Sequence, residues 1–165
     1  MEFEEILRIE DDLRRNEALY SVFNEDERLA SQAGQVEFLT TFRELEKYVT
    51  DQSKILDIGA GTGVYSFPLA KIAKEVVALE PASRNYQGLT EKIATSQLTN
   101  LAAQQKSSLE LEEFSSGYFD IVLLFGPLYH LSQAADREET LRQAKRLLAP
   151  GASCSSLLSI MTVYR

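Results

Sequence analysis

Phe3, Ile6, Leu7, Leu13, Leu19 and Tyr20 fall mostly on one face of a helix with charged residues between them, which predicts a helix over residues 1–23. The run Phe23-Asn24-Glu25-Asp26-Glu27 breaks that pattern. Val36, Leu39, Phe42, Leu45 and Val49 then recur every three or four residues and predict a second helix from near Gln32 to near Val49. After the polar turn Thr50-Asp51-Gln52-Ser53 the period changes. Ile55, Leu56 and Ile58 give the apolar run of a short strand covered on both faces. The same texture returns in Glu75–Glu80 and in Phe119–Phe125, the most apolar strand of the chain. Leu101–Gln105 is a weaker strand signal, and Ser153–Val163 a serine-rich one. Between the strands, helices are predicted over Tyr65–Lys74, from Pro81 to Ala94, and over Asp136–Leu148, where Leu141, Ala144, Leu147 and Leu148 face inward. Pro68 is compatible with a helix that starts near Ser66, because it then falls in the first turn. Leu109–Phe114 predicts a short helical turn and Ser115-Ser116-Gly117 a loop, while Gly126-Pro127 and Ala149-Pro150-Gly151 end the elements before them.

Strands that alternate with helical crossovers predict an α/β domain, with a doubly wound, mostly parallel sheet. Residues 1–50 form a helical cap or arm before that sheet, and 51–165 form its core. The arm has two readings: it covers the sheet, or it closes over a bound ligand.

Composition narrows the class. A chain of 165 residues suffices for one domain with a core, and 44% hydrophobic residues exclude disorder as the default. The net charge of −8 argues against a nonspecific nucleic-acid binder, which needs a basic surface. Cys154 is the only cysteine, so neither an intrachain disulfide nor a cysteine-based zinc site is available, and no metal site is expected. The acidic start MEFEEILRIE has no signal-peptide pattern, and no apolar run reaches membrane-spanning length. A soluble, cytoplasmic protein is expected.

The chemistry centres on Lys54–Val64, KILDIGAGTGV. Gly59, Gly61 and Gly63 stand at every second position directly after the strand, where a tight turn needs positive φ and close backbone approach. The dinucleotide fingerprint G-x-G-x-x-G is not matched, since Val64 stands where its third glycine would fall, and no Gly-Lys-Ser/Thr follows for a phosphate loop. Asp57 just before the loop would repel a pyrophosphate and suits a ligand with positive charge, an amine or a sulfonium. Glu80 ends the second strand; by itself it is a helix-start acid favoured by the dipole.

Asp57-Ile58-Gly59-Ala60-Gly61-Thr62-Gly63 resembles the first motif of class I S-adenosylmethionine-dependent methyltransferases. The resemblance extends over nearly the whole chain, through Gly126–Leu131 (GPLYHL) after the fourth strand and the APGA turn before the fifth. It implies a Rossmann-like sheet of about five strands in the order 3-2-1-4-5, with S-adenosyl-L-methionine as cofactor. The cofactor would lie across Asp57, Gly59, Ala60, Gly61 and Gly63, with Glu80 on the ribose hydroxyls and Pro81 beside it. Ser107 and Ser108 fall where the family contacts adenine, with Ser107 in place of the common aspartate. Phe125 to His130 would flank the methyl group. Tyr129 and His130, the single histidine, are the catalytic candidates, as a general base or as acceptor contacts; Tyr20, Phe23 and Arg28 in the arm are weaker ones. The implied partner is a small-molecule methyl acceptor. The family's domain usually continues past the fifth strand, whereas this chain stops at Arg165, so an incomplete core, low turnover and a homodimer through an exposed sheet edge are expected. Two other readings stand beside this one: an inactive cofactor-holding scaffold and a nicotinamide-dependent oxidoreductase.

Overall fold

The computed structural model describes residues 3–23, 31–150 and 157–158. Two helices open the chain, α1 (Phe3–Leu7) and α2 (Asp12–Val22), followed by α3 (Gln32–Leu45). The α/β core then runs β1 (Lys54–Ile58), α4 (Ser66–Ala70), β2 (Glu75–Leu79), α5 (Ser83–Thr95), β3 (Leu101–Gln104), β4 (Ile121–Leu123), α6 (Pro127–His130), α7 (Ala134–Leu147) and β5 (Leu157–Leu158). No described helix is long and apolar enough to cross a membrane.

The strands make one sheet in the order β3-β2-β1-β4-β5, every neighbouring pair parallel. Order and direction are those expected. The central strand β1 pairs Ile55 with Val76 on one side and with Ile121 on the other. The carboxylate of Asp120 accepts the Lys54 N–H at 2.8 Å and fixes where β1 begins against β4. Side chains alternate across the sheet, which divides the core in two. Ile55, Val76 and Ala78 pack with Leu45 at the end of α3, with Val49 just past the turn after it, with Leu69 of α4 and with Leu89 of α5. Leu56, Ile58, Val77 and Leu79 face the other way, onto Leu111, Phe119, Ala144 and Leu147. Asp57 shares the face of Ile55, a carboxylate in an otherwise apolar row.

Several expectations change. The single helix over residues 1–23 is two, because Asp11 leaves the helical conformation and caps α2, its carboxylate accepting the Arg14 N–H at 2.8 Å. The apolar face expected there is mostly in solvent: Phe3, Leu7 and Leu13 are exposed, Ile6 is buried, and the buried residue of α2 is Asn16. On α3 only the C-terminal half of the stripe is covered; Val36 and Leu39 are exposed. On α7 Thr140 points inward and Leu141 outward, since the helix turns its face toward Ser108. Leu109–Phe114 is a series of turns rather than a helix, held by the Arg146 guanidinium donating to the Leu111 and Phe114 carbonyls. The strand over Phe119–Phe125 is regular only at Ile121–Leu123, with Phe119 forming an isolated bridge to Leu148. Helix α6 was not foreseen: Pro127 starts it, so the dipeptide that ends β4 also opens a four-residue helix. The break at Asn24–Glu27, Arg28 and most of the last strand lie outside the described residues.

Candidate functional site

A cavity of about 410 Å³ opens where the carboxyl ends of β1, β2 and β4 meet, the place where doubly wound sheets bind ligands. Its floor is the turn after β1. Gly59, Gly61 and Gly63 all have positive φ, at 75°, 58° and 88°, a conformation that other residues reach only under strain. Their jobs differ. Gly59 leaves room for α6: a Cβ there would lie 2.7 Å from the Pro127 ring. Gly63 faces away from the cavity, where a Cβ would meet Leu89 and Phe67. Gly59, Ala60 and Gly61 line the cavity and Gly63 does not. The third glycine of the loop therefore serves packing beneath the site.

Two buried carboxylates face this floor. Asp57 is 3% exposed, and the Ser66 hydroxyl donates to it at 2.6 Å. Burial pushes its pKa up to about 6 against the opposing effect of Ser66. Glu80 is 4% exposed, follows β2, and uses both oxygens on backbone: one accepts the Gly61 N–H at 2.8 Å, the other the Ala82 N–H at 2.9 Å. Burial raises its pKa to about 7, with a further push from the Asp57 charge; the two N–H groups and the Asn85 side chain pull the other way. A carboxylate oxygen accepts more than one hydrogen bond. Glu80 therefore keeps acceptor capacity for a pair of adjacent hydroxyls while it ties the glycine turn to the start of α5.

The walls come from three further segments. Pro81, and the buried pair Ser107 and Ser108, line one end. The Ser107 oxygen accepts the Leu109 N–H at 3.3 Å, and Ser108 shares a hydrogen bond with Thr140. Phe125 lines the opposite end, its ring 4.9 Å from that of Tyr65. His130 also lines the cavity, whereas Tyr129, its neighbour on α6, is 55% exposed and points away from it. Of the two catalytic candidates, only His130 is brought to the site.

The roof is α2, and the sequence did not foresee most of its contacts. The Tyr20 hydroxyl lies 3.0 Å from His130 Nε2, and Arg15 donates to the His130 carbonyl at 3.1 Å. The Asp12 carboxylate pairs with Arg15 and accepts the Ser132 N–H at 2.8 Å. Glu17 accepts the Ser83 N–H at 2.9 Å, and Arg84 donates to the Ser21 carbonyl at 2.9 Å. Asp12, Asn16 and Tyr20 are one turn apart and all line the cavity. The signal available in the sequence was weak: Asn16 is a polar residue at an apolar-face position, between Leu13 and Leu19.

No lysine or arginine stands among the described lining residues, while Asp12, Asp57, Glu80 and Asp136 do. The site is therefore built for a ligand that is cationic or rich in hydrogen-bond donors, and its acceptors fit a nucleoside carrying two free hydroxyls and a positive centre.

Residues 55–151 match the family described as Methyltransferase domain. The chain is 32% identical over 112 residues to the ubiquinone biosynthesis O-methyltransferase of Caulobacter sp. (strain K31), an overlap covering 68% of this chain and 41% of that protein. It thus spans less than half the length of that curated relative. Among solved structures, phosphoethanolamine N-methyltransferase 1 of Haemonchus contortus, in complex with phosphoethanolamine and S-adenosylhomocysteine, superposes with a TM-score of 0.68 at 20% identity. That match covers 90% of this chain and 31% of the other. The [4+2]-cyclase SpnF superposes with a TM-score of 0.65 at 17% identity, covering 74% and 45%. At such identities the likeness is one of fold.

Proposed function

The chain belongs to the methyltransferase domain family, of the class I S-adenosylmethionine-dependent type, and from that membership we propose that it binds S-adenosyl-L-methionine and transfers the methyl group to a small-molecule acceptor. The observation that carries this reading is Glu80, a buried carboxylate that follows β2 and is hydrogen-bonded to the glycine turn, with acceptor capacity left for the ribose hydroxyls. When bound, the sulfonium supplies a methyl group that an acceptor takes by in-line displacement. Asp57 gives the positively charged end a favourable field. Ala60 and Gly61 let the backbone approach the ligand closely, and Pro81, Ser107 and Ser108 bound the adenine end. Phe125 and the turn at Gly126–His130 form the wall beside the reacting atoms and exclude water. Positioning of that kind supplies most of the rate effect for a displacement that needs no protein nucleophile. Where the acceptor carries a proton that must leave, His130 takes it, with Tyr20 holding the ring in place through Nε2.

Titration calorimetry with S-adenosylhomocysteine tests the cofactor half. A micromolar or tighter site is expected, weakened at least tenfold by Glu80→Ala; no heat of binding at millimolar ligand would reject it. A second reading is a module that holds the cofactor without transferring methyl. Methyl release from labelled cofactor over a broad acceptor panel separates the two.

A further inference from the structure

We propose that Asn16 is a cofactor-binding residue of the arm, its side-chain oxygen accepting a hydrogen bond from the ammonium group of the cofactor's amino-acid end. The inference rests on the cofactor reading above. Asn16 is 8% exposed and lines the cavity, and its Oδ1 has no hydrogen-bond partner among the described residues. A buried carbonyl oxygen without a donor is costly, and such atoms in folded proteins are few. The helix that carries Asn16 is held at the rim of the site on either side of it. One turn before it Asp12 is bonded to Ser132, one turn after it Tyr20 is bonded to His130, and the adjacent Glu17 is bonded to Ser83. These three attachments fix the turn of α2 that carries Asn16 over the cavity. The arm thus holds an acceptor over the site that only an occupant of the cavity can satisfy.

The nature of the donor follows by elimination within the cofactor. The sulfonium has no N–H or O–H. The two ribose hydroxyls have Glu80, and the adenine amine lies with Ser107 and Ser108. The α-ammonium is the donor left over. Its charge suits a cavity whose described lining carries Asp12, Asp57 and Asp136 and no lysine or arginine.

The test uses two ligands and three variants. S-adenosylhomocysteine carries the ammonium; 5′-methylthioadenosine keeps adenine and ribose but lacks the amino-acid end. Asn16→Leu should raise the Kd for S-adenosylhomocysteine about tenfold and leave that for methylthioadenosine within twofold. The thermal midpoint of the ligand-free protein should hold or rise, because an orphaned buried oxygen has been replaced by an apolar group of similar size. Asn16→Asp should bind S-adenosylhomocysteine as tightly as the native protein or more so, since a carboxylate also accepts from an ammonium. If Asn16→Leu fails to fold, Asn16→Ala takes its place. An unchanged Kd in the Leu or Ala variant overturns the proposal. So does an equal loss for both ligands, or a loss in Asn16→Asp as large as in Asn16→Leu. Native protein that does not bind S-adenosylhomocysteine overturns the cofactor reading and this inference with it, whereas native binding that Asn16→Leu leaves intact overturns this inference alone.

Discussion

Leu56 and Asn16 are both buried, yet the regions around them are held together by opposite means. Leu56 sits at the middle of the sheet, fully covered, paired with Val77 on one side and Val122 on the other. Its neighbours are apolar on every strand, so the sheet is stabilised by area removed from water. Asn16 sits in an arm whose Leu13 and Val22 are more than half exposed, at 51% and 56%. The arm is attached to the rim of the site through Asp12, Arg15, Glu17 and Tyr20, and through its Ser21 carbonyl, which accepts from Arg84, each by hydrogen bonds. Hydrogen bonds exchange readily with water and contribute little net stability each, about 0.5–1.5 kcal/mol. The sheet is a scaffold, and the arm is a cover joined to it by polar contacts.

Truncating the core gives the largest effect this contrast predicts. Leu56→Ala should destabilise the protein by about 2–5 kcal/mol in denaturant unfolding, the range for deleting a fully buried leucine. A loss below about 1 kcal/mol would mean that the sheet is not the stabilising unit.

The two carboxylates at the boundary between scaffold and cover give the next effect, visible with pH. Asp57 and Glu80 have native pKa values raised to about 6 and about 7, so between pH 4 and 7 the native state binds protons that the unfolded chain has released. Their effect on stability therefore falls as pH rises through that window. Affinity for S-adenosylhomocysteine should move in the opposite direction, rising about tenfold from pH 5 to pH 8 as the acceptors ionise. Parallel calorimetry and thermal melts across pH check both, and curves that rise together would remove these carboxylates from the site.

The smallest effect is on the cover itself. Glu17→Ala removes the acceptor of the Ser83 N–H and should cost less than about 1 kcal/mol of global stability. Amide exchange over residues 12–22 should nevertheless quicken, while exchange in β1 and β2 stays as it was. Equal acceleration in both would show that arm and sheet open as one unit.

The same contrast separates what the sequence disclosed from what it concealed. Apolar runs and the three glycines announce β1, β2, β4 and the turn between β1 and α4, because burial on both faces leaves no other pattern. They also placed Asp57 and Glu80 correctly at strand ends. Periodicity could not tell that Leu13, Val36 and Leu39 face solvent, since it locates a stripe on a helix without saying what the stripe meets. It could not choose between Tyr129 and His130, whose directions depend on the four-residue turn that Pro127 begins. Gly63 looked like its two companions, and only the nearness of Leu89 and Phe67 shows that it serves packing. Asn16 was hidden for the same reason as the arm's other contacts: a polar residue gives no sign of being covered by chain distant in the sequence.

That separation in sequence matters to how the molecule comes together. Asp12 meets its partner Ser132 across 120 residues, whereas β1 and β2 pair over about twenty. During synthesis the arm finds its seat at Ser83 and Arg84 once β2 has been made, but its seat at Ser132 only after β4, and closing that wider loop is the later event to be favoured. A waiting segment rich in exposed apolar surface would associate with other nascent chains. One studded with Asp12, Arg14, Arg15, Asn16 and Glu17 stays hydrated and solvent-compatible until its seat exists.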